Sequence, residues 1–157
     1  MTAKLKPSEL GTIVGRPLEP GQWFLVDQER IDAFANATLD RQFIHVDPER
    51  AAKMPFGSTV AHGFLTLSLL SHLCKGAGFV VEGALMGVNY GFNRVRFVSP
   101  VAVGSEIRAV RTVKAVEPRP RGQYLLTSDV TVEIKGKDKP ALVAEWLAMI
   151  VFPDSAS

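Results

Sequence analysis

Hydrophobic positions fall into two regimes along the chain, a helical period in the first half and a strand period in the second. Residues Asp27 to Thr38 place Ile31, Phe34 and Ala35 on one helical face, with Asp27 positioned to cap the first turn. Asp47-Pro48-Glu49 marks a second, brief helix: an acid to cap it, proline at its first position and an acid in its first turn. Pro55, Gly57 and Ser58 stop it. Thr59 to Cys74 (TVAHGFLTLSLLSHLC) contains no Asp, Glu, Lys or Arg, and Phe64, Leu65, Leu67, Leu69, Leu70 and Leu73 point in nearly every direction around a helix axis. This spacing predicts a third helix with no solvent face, buried on most sides. Lys75 and Gly76 read as its stop.

From Leu85 onward the period is that of strands. Tyr124, Leu126, Val130, Val132 and Ile134 alternate with Thr127, Asp129, Thr131 and Glu133, the pattern of a strand with one wet face. Ala141 to Phe152 is almost continuously apolar and reads as a central strand covered on both faces. Leu85 to Val98 and Ile107 to Val116 supply two more strands, and Gln22 to Val26 a short one near the N-terminus. The turns at Ser99-Pro100, Gly104-Ser105 and Pro118 to Gly122 are short, so the strands pair antiparallel. An apolar helix beside one such sheet is buried most simply by a sheet that curls around it, which gives an α+β class.

Length and charge narrow the function classes. The 157 residues carry 18 Lys+Arg against 16 Asp+Glu, and this near balance disfavours nucleic acid or an anionic membrane surface as partner. The length fits one domain spanning residues 1–157. A single cysteine, Cys74, leaves no internal disulfide. The N-terminal ten residues have no apolar core of the signal-peptide kind, and no run approaches a membrane-spanning length. These features read together as a cytoplasmic, soluble protein.

Two places can carry chemistry. Asp40 and His45 lie five residues apart between the first two helices, and a carboxylate and an imidazole around one water form an acid–base pair. The same residues also fit a turn cap and a histidine packed on the following helix. Gly63 in Ala61-His62-Gly63-Phe64 stands near the start of the apolar helix, where first-turn amides lack internal acceptors. Two readings fit: a ligand carbonyl approaches its N–H as in an oxyanion hole, or the glycine serves close packing alone. His45, His62 and His72 do not follow a usual metal-ligand spacing, and the glycines match no nucleotide-binding loop, so neither metal nor cofactor is expected. Arg94 with Arg96 is a candidate phosphate-facing pair, or a solvated strand face.

The order Asp40-x4-His45-x-Asp47, Ala51-Ala52, Pro55-Phe56-Gly57 and Ala61-His62-Gly63-Phe64-Leu65 resembles the MaoC-like dehydratases, which include the (R)-specific enoyl-CoA hydratases. The likeness is greatest to the nodulation-protein-N-like subgroup, through Gln42 to Asp47, Ala61 to Leu69, Val88-Asn89-Tyr90-Gly91 and Val95-Arg96-Phe97. The resemblance implies a hot-dog fold, an antiparallel sheet wrapped around one apolar helix, and a homodimer that takes an acyl-CoA thioester. It implies catalytic roles for Asp40 and His45, which would activate one water for syn addition across a trans-2-enoyl thioester. The Gly63 amide would hold the thioester oxygen. Ser71 matches a family position close to the site, and Gln42, His62, Arg94 and Arg96 are further candidate substrate-binding positions. Many members carry Asn-Pro where this chain has Gln42-Phe43.

Two other functions are compatible with such a fold. A hot-dog thioesterase often carries its catalytic carboxylate on or near the central helix, and Phe56 to Lys75 has none. A non-catalytic acyl-binding module has no use for the Asp40–His45 pair.

Overall fold

A computed structural model describes residues 3–75 and 78–153. The chain opens with β1 (Ala3–Leu5) and a 3-10 turn at Pro7–Ile13, then β2 (Phe24–Val26) and α1 (Gln28–Thr38). The Asp27 carboxylate accepts from the Arg30 amide, as its capping role requires, and Ile31 and Ala35 are buried. α1 ends on Leu39, a non-glycine residue in the left-handed conformation at φ 65° and exposed to solvent. The segment between the two helices read from the sequence contains a further one, α2 (Phe43–Val46), a single turn carrying His45, followed directly by α3 (Pro48–Ala51), which Asp47 caps through the Arg50 amide.

The apolar helix differs from its expectation in two respects. It starts at Gly63, not Thr59, as α4 (Gly63–Ser68), and continues past an irregular Leu69 into α5 (Leu70–Leu73). Thr59 to His62 are held extended because their backbone groups pair elsewhere: the Val60 amide donates to Ile44 O and the Ala61 amide to Val101 O. The helix also has an exposed face in the single chain. Leu65, Thr66, Leu70 and Leu73 are buried, whereas Phe64, Ser68, Ser71 and His72 are exposed. The absence of charge therefore does not mean burial all round. The stop at Gly76 falls outside the described residues.

β3 (Phe79–Val81) pairs in parallel with β1 as a small separate sheet. The main sheet comprises β2, β4 (Met86–Phe97), β5 (Ser105–Arg119), β6 (Gln123–Ile134) and β7 (Leu142–Val151), in the antiparallel order β2-β5-β6-β7-β4. Register shifts at Val113/Ala115 on β5 and at Asn89/Gly91 and Phe92/Arg94 on β4 help it to bend. Its concave face presents Ile107, Ala109, Val130, Val132, Leu142, Ala144 and Trp146 to Leu65, Leu70 and Leu73 of the helix. The result is the hot-dog arrangement. β7 is not covered on both faces: Leu142, Ala144 and Trp146 are buried, but Val143, Glu145 and Leu147 between them are half-buried on the convex side. β4 is an edge strand on which Met86, Val88, Tyr90, Phe92 and Phe97 are exposed. Among the described residues no helix is long and apolar enough to cross a membrane.

Candidate active site

His45 is fixed from three sides. Its Nδ1 lies 2.6 Å from the Val60 carbonyl, an acceptor only, so Nδ1 carries the proton and a neutral ring has its free lone pair on Nε2. The Gln28 amide group donates to the His45 carbonyl at 2.8 Å and to Asp32 Oδ1, while its own oxygen accepts from the buried Thr59 hydroxyl. α1 thus holds the turn that carries the imidazole. Burial pushes the His45 pKa below its ordinary 6.5, the positive potential of His62 lowers it further, and the Val60 carbonyl and Asp40 act the other way. At neutral pH the ring is uncharged.

His62 packs behind it. The two imidazoles stack with centroids 3.7 Å apart, and His62 Nε2 donates to the Asp40 carbonyl at 2.9 Å. Its Nδ1 is buried without a partner among the described residues. Phe34 of α1 closes the other side, with ring centroids 4.9 Å apart. Asp40 itself is exposed, and ligand atoms of Asp40, His45 and His62 all lie within 4.8 Å of one another. Such a cluster could also receive a metal ion. Spacing along the chain, on which the expectation of no metal rests, gave no sign that these histidines meet.

His45 and Gly63 line one pocket of about 270 Å³, together with Val60, Thr66, Phe97 and Ser99. A Cβ on Gly63 would stand 2.9 Å from the Phe97 ring, so only glycine fits while that ring keeps its place. This steric requirement holds whatever the Gly63 amide binds, and both sequence readings of the glycine are compatible with it.

The remaining expected positions are scattered. Gln42 is exposed at the start of α2, its amide 3.5 Å from Asp40 Oδ1. Ser71 lies two turns along the helix from Gly63, its hydroxyl 3.3 Å from Asn89 Nδ2. Arg94 of β4 is opposite Glu145 of β7, and Arg96 donates to the adjacent Val95 carbonyl; neither lines the pocket that holds His45 and Gly63. Sequence reading missed Gln28 and Thr59, whose polar atoms hold the site together. It also missed Arg111, which occupies an inward position on β5 between buried Ala109 and Val113. A charged residue interrupting the inward alternation was the available signal.

Comparison with known proteins identifies the family and the fold. A family model described as a MaoC-like domain matches residues 9–134. The chain is 45% identical over 150 residues to Nodulation protein N of Rhizobium leguminosarum bv. viciae, covering 95% of this chain and 93% of that protein. It is 44% identical to 3-hydroxyacyl-thioester dehydratase Z of Mycobacterium tuberculosis (strain ATCC 25618 / H37Rv), over 92% of this chain and 95% of the relative. Among solved structures, the (R)-hydratase from A. caviae involved in PHA biosynthesis superposes with a TM-score of 0.68 at 25% identity, covering 89% of this chain and 96% of that one.

Proposed function

This chain belongs to the MaoC-like domain family, and from that premise we propose that it is an (R)-specific enoyl-CoA hydratase, adding water reversibly to trans-2-enoyl-CoA to give (R)-3-hydroxyacyl-CoA. The coarser class, a hydro-lyase of the hydratase and dehydratase type, follows from its relatives. The observation that carries the finer reading is the meeting of Asp40 and His45 beside a pocket that also contains Gly63.

In this reading a water sits between the Asp40 carboxylate and His45 Nε2. Because Nδ1–H is committed to Val60, the neutral imidazole can only accept at Nε2, so in the hydration direction it is the base. It takes one proton as the water oxygen bonds to C3, and Asp40 accepts the other O–H and offsets the charge of the imidazolium. The proton then passes from Nε2 to C2 on the face from which it came. One group serving both transfers gives syn addition, and dehydration runs the same steps in reverse. The Gly63 amide donates to the thioester oxygen as enolate charge builds there, a contact whose loss typically costs ~10² to 10³ in rate.

The acyl chain runs along the helix past Ser71, and the CoA phosphates meet Arg94 and Arg96. A second copy of the chain completes the assembly. The exposed apolar row of the β4 edge and Phe64, whose ring centroid is 5.7 Å from that of Phe97, support a homodimer.

The test is consumption of crotonyl-CoA, followed as loss of conjugated-thioester absorbance, with chiral analysis of the product. Asp40→Asn and His45→Gln each lower the rate by ~10² or more. No turnover at any chain length overturns the hydratase reading, release of free thiol points to a thioesterase, and an (S) product overturns the stereochemical assignment.

A further inference from the structure

Two further spaces lie beside the helix, apart from the pocket that holds His45 and Gly63. Gly63, Leu67, Ser71 and Cys74 follow one another along a single face at the helical repeat, spanning about 16 Å of axis. A space of about 180 Å³ beside Leu67 and Ser71 shares Ser71, Asn89 and Trp146 with a larger one of about 340 Å³ that reaches Cys74 and β3. The larger space is walled mainly by apolar groups, among them Val81, Met86, Leu126 and Ile150. Arg111 is the exception.

Arg111 enters this space from the concave face of the sheet. Its Nε donates to Ser128 Oγ at 3.0 Å, and its guanidinium carbon lies over the Trp146 ring, 5.2 Å from the centroid, and 5.8 Å from that of Phe79. The hydrogen bond engages one of the three guanidinium nitrogens. Among the described residues no carboxylate forms an ion pair with it. Cys74 does not supply the missing charge, because burial pushes its thiol upward and keeps it protonated. Burial also pulls the Arg111 pKa down, the direction expected of a cation without a counter-ion. Close by, the Trp146 indole N–H is buried with no acceptor among the described residues. Donors here are therefore in excess, and a desolvated cation without an anion is costly.

We propose that Arg111 and the Trp146 indole N–H receive a carboxylate at the far end of the acyl chain, so that the protein favours ω-carboxyl acyl thioesters over methyl-terminated ones. The assignment rests on the acyl-CoA reading above. A carboxylate can take two N–H bonds from the guanidinium, whereas a terminal methyl leaves those donors unsatisfied. Sites built to hydrogen-bond a ligand oxygen reject the analogue that lacks it far more strongly than apolar pockets distinguish chain ends. The methylenes meanwhile lie against the apolar wall.

Titration calorimetry with two non-reacting ligands, dodecanedioyl-CoA and dodecanoyl-CoA, decides the matter without requiring turnover. The wild-type protein binds the ω-carboxyl ligand at least ~10-fold more tightly. Arg111→Met reverses the order, since it removes the charge and keeps the volume. Arg111→Lys retains part of the preference and serves as the deciding variant if the methionine protein does not unfold cooperatively. Equal affinities in the wild type, or a preference that survives Arg111→Met, overturns the proposal. Crotonyl-CoA is too short to reach Arg111, so its turnover by the wild type reports on the hydratase reading alone.

Discussion

The imidazoles of His45 and His62, carried on separate segments, stack at 3.7 Å, and the His62 ring also holds the carbonyl of Asp40. One buried side chain therefore contacts both members of the proposed acid–base pair without lining the pocket itself. Its removal disturbs the relative position of carboxylate and imidazole. His62→Phe keeps an aromatic ring in the stack and loses the bond to Asp40. It should lower kcat ~10- to 100-fold with little change in KM, and move the acid limb of the rate profile to higher pH. A purely structural role for His62 predicts lower stability with normal kinetics in the folded fraction.

The pH dependence follows from the lowered His45 pKa. In the proposed mechanism the base must be neutral, so kcat/KM for crotonyl-CoA stays level as the pH falls through 6.5 and declines only below it. Stability has the matching sign. Below pH 6.5 the unfolded chain binds a proton at His45 before the folded chain does, and acidification therefore favours unfolding until the folded pKa has been passed. Rate profiles and denaturant titrations across pH 4.5 to 8 check both statements.

Gly63→Ala brings a methyl to 2.9 Å from the Phe97 ring, and either that ring or the start of α4 must move. The expected result is a loss of ~10² in kcat as the amide is displaced from the thioester oxygen. The double variant Gly63→Ala/Phe97→Ala relieves the clash and recovers part of the rate. A double variant no faster than the single one contradicts this steric account.

Gln28 offers a test of support rather than chemistry. Gln28→Leu leaves the buried Thr59 hydroxyl without its acceptor and frees the His45 carbonyl. Thermal or denaturant unfolding should show a loss of about 1 to 3 kcal/mol. Activity falls as well, because the turn carrying His45 is no longer tied to α1.

Local rules were enough for much of this architecture. The carboxylates of Asp27 and Asp47 cap α1 and α3 because both residues stand immediately before helical turns, a relation visible in sequence. The alternation of β6 likewise gave its inward face. Contacts between distant segments had no such marker. The His45–His62 stack depends on how α2 meets the start of α4, and no spacing along the chain encodes it. The charge-free helix misled for a related reason: a face left open by one chain can be as apolar as one covered by it, as exposed Phe64 illustrates. β7 was read as covered on both sides because its outward Val143 and Leu147 are apolar too.

Leu39 has a further consequence. A leucine at φ 65° sits in a conformation that costs an L-residue about 1 to 2 kcal/mol, and its exposed side chain regains little by packing. Glycine would end α1 more comfortably, so Leu39→Gly should raise the melting temperature by a few degrees. The next residue is Asp40, and a freer hinge would let its carboxylate wander, with a fall in kcat. The helix terminus is thus a point of trade between durability and turnover, where selection for heat resistance alone would be expected to blunt the enzyme.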